Sequence, residues 1–410
     1  MMHQIITSWT DNDAYNLHQA SFMCRRHRRA WGVYAYKCRS AGVNLIPLLK
    51  KIKEQIRALC NLRITPEEAG LLAEHTRCHP KFIKAITGVR ILEMKHIKVE
   101  ARGGVLSIRY EGPIWKRILV ETPLLALISE LYFAEKMGPE EYALAHIKGA
   151  QWIEETAKEL AGAPEGFALT EGGTRRRFSK RHYETVLQTL KQYAPKQLAG
   201  TSNVYYGIAY GIPIVGTMAH QLQMYYQATT PLQDSITKCL LDWDKEFGGT
   251  LGTALSDTLG DRKWNQVFTK ELMAKYHTER HDSGCPFAWG ERRLAAIARE
   301  GLSTQGRSLL FSDSLDIGKA ISLYQTFSGR IGVKIMIGTY LTNTIPIEGH
   351  KALSQVIKLM WAAPDRRTQL RPLAKLSADM EKSQCECSEF EAYAIWEASN
   401  CYDPGYAEAA

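Results

Sequence analysis

From about Phe167 onward the chain repeats one unit, a short apolar run that ends in Gly, Ser, Thr or Asp and leads into a helical stretch. It recurs in "LAGTSN", "GIPIVGTMAH", "GTALSDT", "YHTERHDSG", "SLLFSDSLD", "VKIMIGTYLTN" and "SQVIKLMWA". Strands that alternate with helices need crossover connections, so this order predicts a parallel sheet, closed into a barrel. In such barrels the chemistry sits on the loops beyond the C-terminal ends of the strands. The small and polar residues that end these runs are therefore candidates by position, although each also suits a helix cap.

The chain before this point reads differently. Residues 44–90 carry helical spacing, and "TPEEAGLLAEH" looks like a helix start with Thr65 as cap and Pro66 in the first turn. "HIKVEARGGVLSIRYEG" alternates apolar and polar residues around Gly103 and Gly104, which predicts a hairpin. Helical patterns resume in "TPLLALISELYFAEKM" and "PEEYALAHIKGAQWIEETAKELA". "AAPDRRTQLRP" at 362–372 reads as a linker into a short tail.

With 410 residues, 45% of them hydrophobic and 23% charged, the chain has room for two or three structural units and is neither disordered nor fibrous. Its net charge of +9 favours anionic partners. The N-terminus lacks the pattern of a signal peptide, and the apolar stretch from Ile118 to Met137 is interrupted by Glu121, Glu130 and Glu135, so a soluble cytoplasmic protein with no membrane partner is expected. Nine scattered cysteines read as reduced thiols. Neither His75, Cys78 and His79 nor Cys385 and Cys387 has the paired spacing of a structural zinc site, and no metal ligand is nominated.

One short stretch asks for an anion. "EGGTRRRFS", Glu171 to Ser179, sets two glycines before three consecutive arginines. Glycine allows close backbone approaches, and each guanidinium is a fixed fork of donors suited to phosphate oxygens. The plain alternative is a solvated basic turn.

Taken in order, "TDNDAY", "GTRRRFS", "GTSN", "GTMAH", "LSDT", "RHDSG", "FSDSLD", "MIGTYLTN" and "VIKL" resemble the nicotinate phosphoribosyltransferase family, from about residue 10 to residue 377. The resemblance implies an α/β fold, the irregular type II phosphoribosyltransferase barrel with an additional α+β domain. The expected division is an N-terminal α+β domain over 1–120, the barrel over 121–365, and a C-terminal segment over 366–410 packing on the N-terminal domain. It also implies a homodimer with shared active sites. The implied reaction joins nicotinate to phosphoribosyl pyrophosphate, giving nicotinate mononucleotide and pyrophosphate in NAD salvage, coupled to ATP hydrolysis. Breaking the ribose–pyrophosphate bond builds charge on both fragments, so Mg²⁺ and cationic donors are expected around the phosphates.

By the same resemblance Arg175 is a phosphate ligand and Arg39 in "KCRS" reaches the pyrophosphate, while Arg176 and Arg177 are local packing or surface charge. Asp282 and Asp313 face the ribose hydroxyls, and Arg280 lies beside base and sugar. The 5′-phosphate is expected on backbone N–H groups around Ser314 and around Gly338 and Thr339. His220 matches the histidine that ATP phosphorylates, and Asp257 is nominated to orient it. Ser202 stands where relatives that use the amide carry aspartate, which favours a carboxylated base. Tyr15 matches a ring stacked on the base and contributed by the partner subunit.

Several positions depart from the family pattern. Gly172 replaces the aromatic expected on the other face of the base, a loss on the order of 1 kcal/mol or more in stacking. Asn16 replaces a lysine, Cys285 an aspartate and Ser314 an asparagine, and "ADMEK" leaves Lys382 as an imperfect match. These changes give a runner-up, transfer to a larger or substituted pyridine-type carboxylic acid. A reading of another class, nucleic-acid binding on a retired enzyme fold, rests on "CRRHRR" at Cys24 to Arg29; the leading expectation has no nucleic-acid partner.

Overall fold

The computed structural model of the protein describes residues 4–377 and 383–400. Lys382 lies outside the described residues. Contacts divide the chain into two compact units, the first drawn from Met1–Arg28, Val33–Gly216 and Ile337–Lys358, the second from Arg29–Gly32, Thr217–Met336 and Leu359–Ala410. Both are discontinuous, whereas the expected boundaries fell at 120 and 365. Boundaries read from sequence follow chain order, and compact units follow packing.

In the first unit, strand β1 (Trp31–Cys38) runs beside the antiparallel pair β2 (Ile97–Arg102) and β3 (Val105–Pro113). The hairpin closes at Arg102↔Val105 with Gly103 at φ 57° and Gly104 at φ 77°. Two consecutive left-handed residues make the turn whose twist suits a two-residue hairpin, and glycine adopts it without strain. One face is buried at Leu106, Ile108 and Tyr110, and Tyr110 stacks on Tyr34 of β1 with centroids 4.9 Å apart. Thr65 caps the helix Pro66–His75 in a reciprocal pairing with Glu68. The two helical patterns after residue 121 meet at Gly138, φ 70°, followed by Pro139. Strands β4 (Leu169–Glu171) and β5 (Leu198–Thr201) pair in parallel. The run "GIPIV" expected as a strand makes only a single bridge, Thr201↔Ile214. Pro213 brings a carbonyl, which accepts from Thr201 N–H, but no donor with which to continue a ladder.

The second unit carries the repeated strand–helix units. Strands β6 (Thr253–Leu255), β7 (Thr278–His281), β8 (Ser308–Phe311) and β9 (Gly332–Ile337) pair in parallel in the order β9-β8-β7-β6. Leu309, Leu310 and Phe311 are buried in succession, as expected where helices cover both faces of a parallel sheet. Helices Pro286–Arg299 and Ile317–Phe327 pack so closely that a Cβ on Gly290 would lie 2.4 Å from the Phe327 ring.

Strand β10 (Gln355–Ala363) is followed by β11 (Arg371–Pro372), paired antiparallel through Trp361↔Pro372 and Ala362↔Arg371. The stretch read as a linker is therefore a hairpin, its turn held by Asp365, which accepts from Arg367 and Thr368 N–H. The tail beyond it bonds within the second unit, through Leu376 N–H on the Thr258 carbonyl and Lys263 on Glu397. Among the described residues no helix is long and apolar enough to cross a membrane.

Candidate functional site

The candidate residues fall into two groups, one in each unit. In the first unit, "TDNDAY" opens the helix Ala14–Arg26 and supplies buried carboxylates rather than a cap. Asp13 accepts from Ser202 Oγ at 2.6 Å and from Thr122 Oγ1 at 2.9 Å. Asp11 holds Arg177 through two bonds of 2.8 Å, and Asn203 Nδ2 donates to the same carboxylate at 2.8 Å. Arg177 is wholly buried, so this arginine braces the fold, as local packing would require.

Arg175 behaves otherwise. It is 34% exposed and has Glu121 Oε1 at 3.6 Å. Burial, and then the neighbouring Arg175 charge, depresses the Arg39 guanidinium. Burial raises the Glu121 carboxyl, against the pull of Lys358 and Arg175. Lys358 and Arg175 thus act on Glu121, and Arg39 lies near enough to Arg175 to feel its charge. Cations gathered in this way suit an anionic ligand.

The turn that carries Arg175 is fixed from below by Glu171 at the end of β4. Its buried carboxyl accepts from Gly173 N–H, from Tyr183 Oη and from Thr201 Oγ1, the last at 2.7 Å. Burial pushes this carboxyl up to about 7, with the three donors and the Asp13 charge as lesser influences. Gly172 is half-buried, its N–H donates to the Ile337 carbonyl at 2.9 Å, and its φ is not among the positive ones. A Cβ on Gly338 would stand 3.0 Å from the Gly172 carbonyl, and one on Gly173 would stand 2.3 Å from Thr342 Oγ1. The loops after β4 and β9 therefore meet backbone to backbone, which brings Gly338 and Thr339 beside the arginine turn.

Tyr15 lies among residues of its own chain. Burial raises its hydroxyl, followed by the charges of Glu121 and Asp13, while Arg175 and a hydrogen bond with Thr122 oppose them. Asn16, in place of a lysine, is buried and donates to Asn12 Oδ1 and Thr122 Oγ1. The Ser202 hydroxyl is engaged by Asp13, so in this arrangement it braces that carboxylate.

In the second unit, His220 begins the helix His220–Thr229, and Asp257 and Asp282 follow the ends of β6 and β7. His220 Nε2 lies 2.7 Å from Asp257 Oδ1 and 3.5 Å from Asp282 Oδ2. The other Asp257 oxygen accepts from Ser283 Oγ at 2.7 Å and from Lys375 Nζ at 2.9 Å. Arg280 donates to Asp282 Oδ1 at 2.8 Å and to Ser312 Oγ at 2.9 Å. Burial works against both carboxylates, yet His220 and Lys375 hold Asp257 well below the usual range, and Arg280 and His220 do the same for Asp282. Asp313 is half-buried and accepts from the exposed Ser314 at 3.2 Å. Ser314, at φ 51°, is the one non-glycine residue of positive φ among those described. Cys285 is exposed at the start of helix Pro286–Arg299.

The donor atoms of His220, Asp257 and Asp282 lie within 4.8 Å of one another. Their oxygens are already met by Lys375, Ser283, Arg280 and Ser312, a balanced set that does not call for a cation. A hard divalent ion such as Mg²⁺ takes oxygen ligands and commonly arrives with substrate phosphates.

Lys375, Ser283, Glu121, Glu171 and Lys358 were not nominated from sequence. Glu121 read only as an interruption of an apolar run. Lys375 opens "KLS" in the tail, and its partner lies 118 residues away.

Residues 167–397 match the model of the nicotinate phosphoribosyltransferase (NAPRTase) family, and residues 10–129 match that of its N-terminal domain. The nicotinate phosphoribosyltransferase of Burkholderia mallei (strain ATCC 23344) is 37% identical over 396 residues, 95% of this chain and 96% of that protein. That of Xanthomonas axonopodis pv. citri (strain 306) is 34% identical over 386 residues, 93% of this chain and 95% of that protein. The crystal structure of nicotinate phosphoribosyltransferase from Porphyromonas gingivalis superposes with a TM-score of 0.88 at 27% identity, covering 96% of this chain and 100% of that one. The corresponding enzyme from Vibrio cholerae gives 0.87 at 30% identity, covering 98% and 95%.

Proposed function

The chain belongs to the nicotinate phosphoribosyltransferase family, and from that premise we infer that it is an enzyme of NAD salvage, transferring phosphoribosyl from phosphoribosyl pyrophosphate to nicotinate. The products are nicotinate mononucleotide and pyrophosphate. Its fold is the α/β type II phosphoribosyltransferase class. The reading extends to coupling with ATP, to a homodimer with shared sites and to action in the cytoplasm.

In this reading the pyridine nitrogen attacks ribose C1, the bond from C1 to the pyrophosphate oxygen breaks, and the electron pair leaves with pyrophosphate. Arg39, Arg175 and Lys358 hold the polyphosphate, Asp282 and Asp313 take the ribose hydroxyls, and Arg280 lies by base and sugar. Ser314, Gly338 and Thr339 offer backbone donors to the 5′-phosphate. Mg²⁺, when bound, would neutralise charge on the leaving group. What supports the cation assignment is that Arg175 acts on Arg39 and, together with Lys358, on Glu121.

The observation that carries ATP coupling is His220, held by Asp257 at 2.7 Å in a buried, charge-balanced centre. A carboxylate on Nε2 favours the tautomer with its proton there and the lone pair on Nδ1. That lone pair attacks the γ-phosphorus of ATP, the bond to the bridging oxygen breaks, and ADP leaves. Later hydrolysis of the phosphohistidine releases phosphate and lets ATP drive nucleotide formation.

His220→Ala is expected to abolish ATP-derived labelling of the protein and to uncouple ATP hydrolysis from nucleotide formation, while some ATP-independent transfer persists. Label from γ-labelled ATP that still enters an acid-labile, base-stable linkage in the variant would put the phosphate on another residue.

A further inference from the structure

Lys375 lies in the tail beyond β11. Its side chain is 4% exposed, and its Nζ reaches Asp257 Oδ2 at 2.9 Å. An ammonium at this depth is unfavourable unless it is paired, and here the buried Asp257 carboxylate pairs it. The pairing sets a fixed positive charge at the histidine centre.

The backbone around Lys375 is fixed to the two elements that make the histidine centre. Ala374 exchanges hydrogen bonds of 2.8 Å with the side-chain amide of Gln227, on the helix that begins at His220. Leu376 N–H donates to the carbonyl of Thr258, the residue after Asp257, at 2.8 Å. Leu373 N–H is tied to the Met360 carbonyl, and Lys375 exchanges backbone bonds with Gln384. The Lys375 Cα is thereby held relative to the imidazole's helix and to the carboxylate's loop at once.

The bonding of Asp257 is divided between its oxygens. Oδ2 receives Lys375 and Ser283, and Oδ1 receives His220 Nε2. Two donors on one oxygen fix the plane of the carboxylate and direct the other oxygen. The ammonium also offsets the charge of two carboxylates gathered around one imidazole, which would otherwise repel each other. Arg280 does the same for Asp282.

We propose that Lys375 is the positioning residue of the phosphoryl-accepting centre: by holding Asp257 through Oδ2 it directs Oδ1 onto His220 and fixes the tautomer and orientation in which the imidazole accepts phosphoryl. This rests on the reading of His220 as the acceptor. Lys375 does not touch the reacting atoms in this role. Its loss should therefore slow phosphorylation without altering the transfer of phosphoribosyl that proceeds without ATP.

The experiment compares wild type, Lys375→Met, Ser283→Ala and His220→Ala. It follows single-turnover labelling from γ-labelled ATP beside nucleotide formation from phosphoribosyl pyrophosphate and nicotinate without ATP. Lys375→Met should label roughly 10–100-fold more slowly, the loss typical when a group that orients a reactive imidazole is removed. Its ATP-independent transfer should match wild type. Ser283→Ala removes the other donor to Oδ2 and should act in the same direction, more weakly. Labelling of Lys375→Met at the wild-type rate overturns the proposal. So does a raised KM for phosphoribosyl pyrophosphate with labelling unchanged, which would make Lys375 a substrate ligand. If Lys375→Met gives no cooperative melt, Ser283→Ala decides, and unchanged labelling in it counts against the proposal. Persistent labelling of His220→Ala would instead sink the underlying reading, and the two failures are distinguishable.

Discussion

In the first unit, Arg177 and Arg175 stand two residues apart and are treated in opposite ways. Arg177 is sealed on Asp11 with no exposure, while Arg175 keeps a third of its surface, acts on Glu121 together with Lys358 and lies near Arg39. In the histidine centre of the second unit, Asp257 and Asp282 are each met by a cation, Lys375 and Arg280. A region where cations gather about one carboxylate suits an arriving anion. A region whose charges already balance holds a group that reacts while staying part of the protein. On this comparison the arginine run divides into one residue that builds the site and one that serves it.

The largest expected effect tests that division. Removing Arg177 leaves Asp11 buried without a counter-charge, so Arg177→Met should cost about 3–5 kcal/mol in urea unfolding. Arg175→Met, at a partly solvated position, should cost no more than about 1 kcal/mol. It should instead raise the KM for phosphoribosyl pyrophosphate. Equal losses of stability would erase the distinction between the two arginines.

A somewhat smaller effect concerns Glu171, whose carboxyl burial pushes up to about 7 from an ordinary 4.5. The folded state then keeps a proton that the unfolded chain gives up between these values. Stability from this group is full below the ordinary value and falls as pH rises through about 7, by about 3 kcal/mol in all. Urea unfolding of wild type and Glu171→Gln at pH values on either side of this window should show the wild type losing that much relative to the variant. A difference independent of pH would mean that the donors from Gly173, Tyr183 and Thr201 keep the carboxylate ionised.

These residues also show what was legible beforehand. The hairpin at Gly103 and Gly104 and the cap at Thr65 close within a few residues, so local sequence is enough to specify them. His220, Asp257 and Asp282 were nominated through the resemblance of their motifs, and Asp257 and Asp282 follow strands of the repeated unit. What escaped was the choice of partners. Arg177 finds Asp11 across 166 residues, and Lys375 finds Asp257 across 118, and periodicity carries no information about such pairings. "GIPIV" misled because its apolar run outweighed the missing donor of Pro213.

The smallest effect lies at Ser314, in the loop after β8. Its φ of 51° falls in the left-handed region, where an ordinary L residue is strained by roughly 1 kcal/mol and asparagine is tolerated better. The residue is exposed, so a substitution there tests the backbone rather than packing. Ser314→Asn should raise stability by about 0.5 kcal/mol, a part of that strain, and leave the KM for phosphoribosyl pyrophosphate unchanged, since the backbone N–H proposed for the 5′-phosphate is retained. Ser314→Val, with a branched Cβ that disfavours positive φ, should lose more than asparagine gains and should raise that KM. The pair of variants separates two causes. If strain governs, asparagine and valine move stability in opposite directions; if the hydroxyl on Asp313 governs, both lose it alike, because neither carries that donor in the same place. The second outcome would make this loop a side-chain contact, and the backbone conformation at Ser314 would then have no part in holding phosphate.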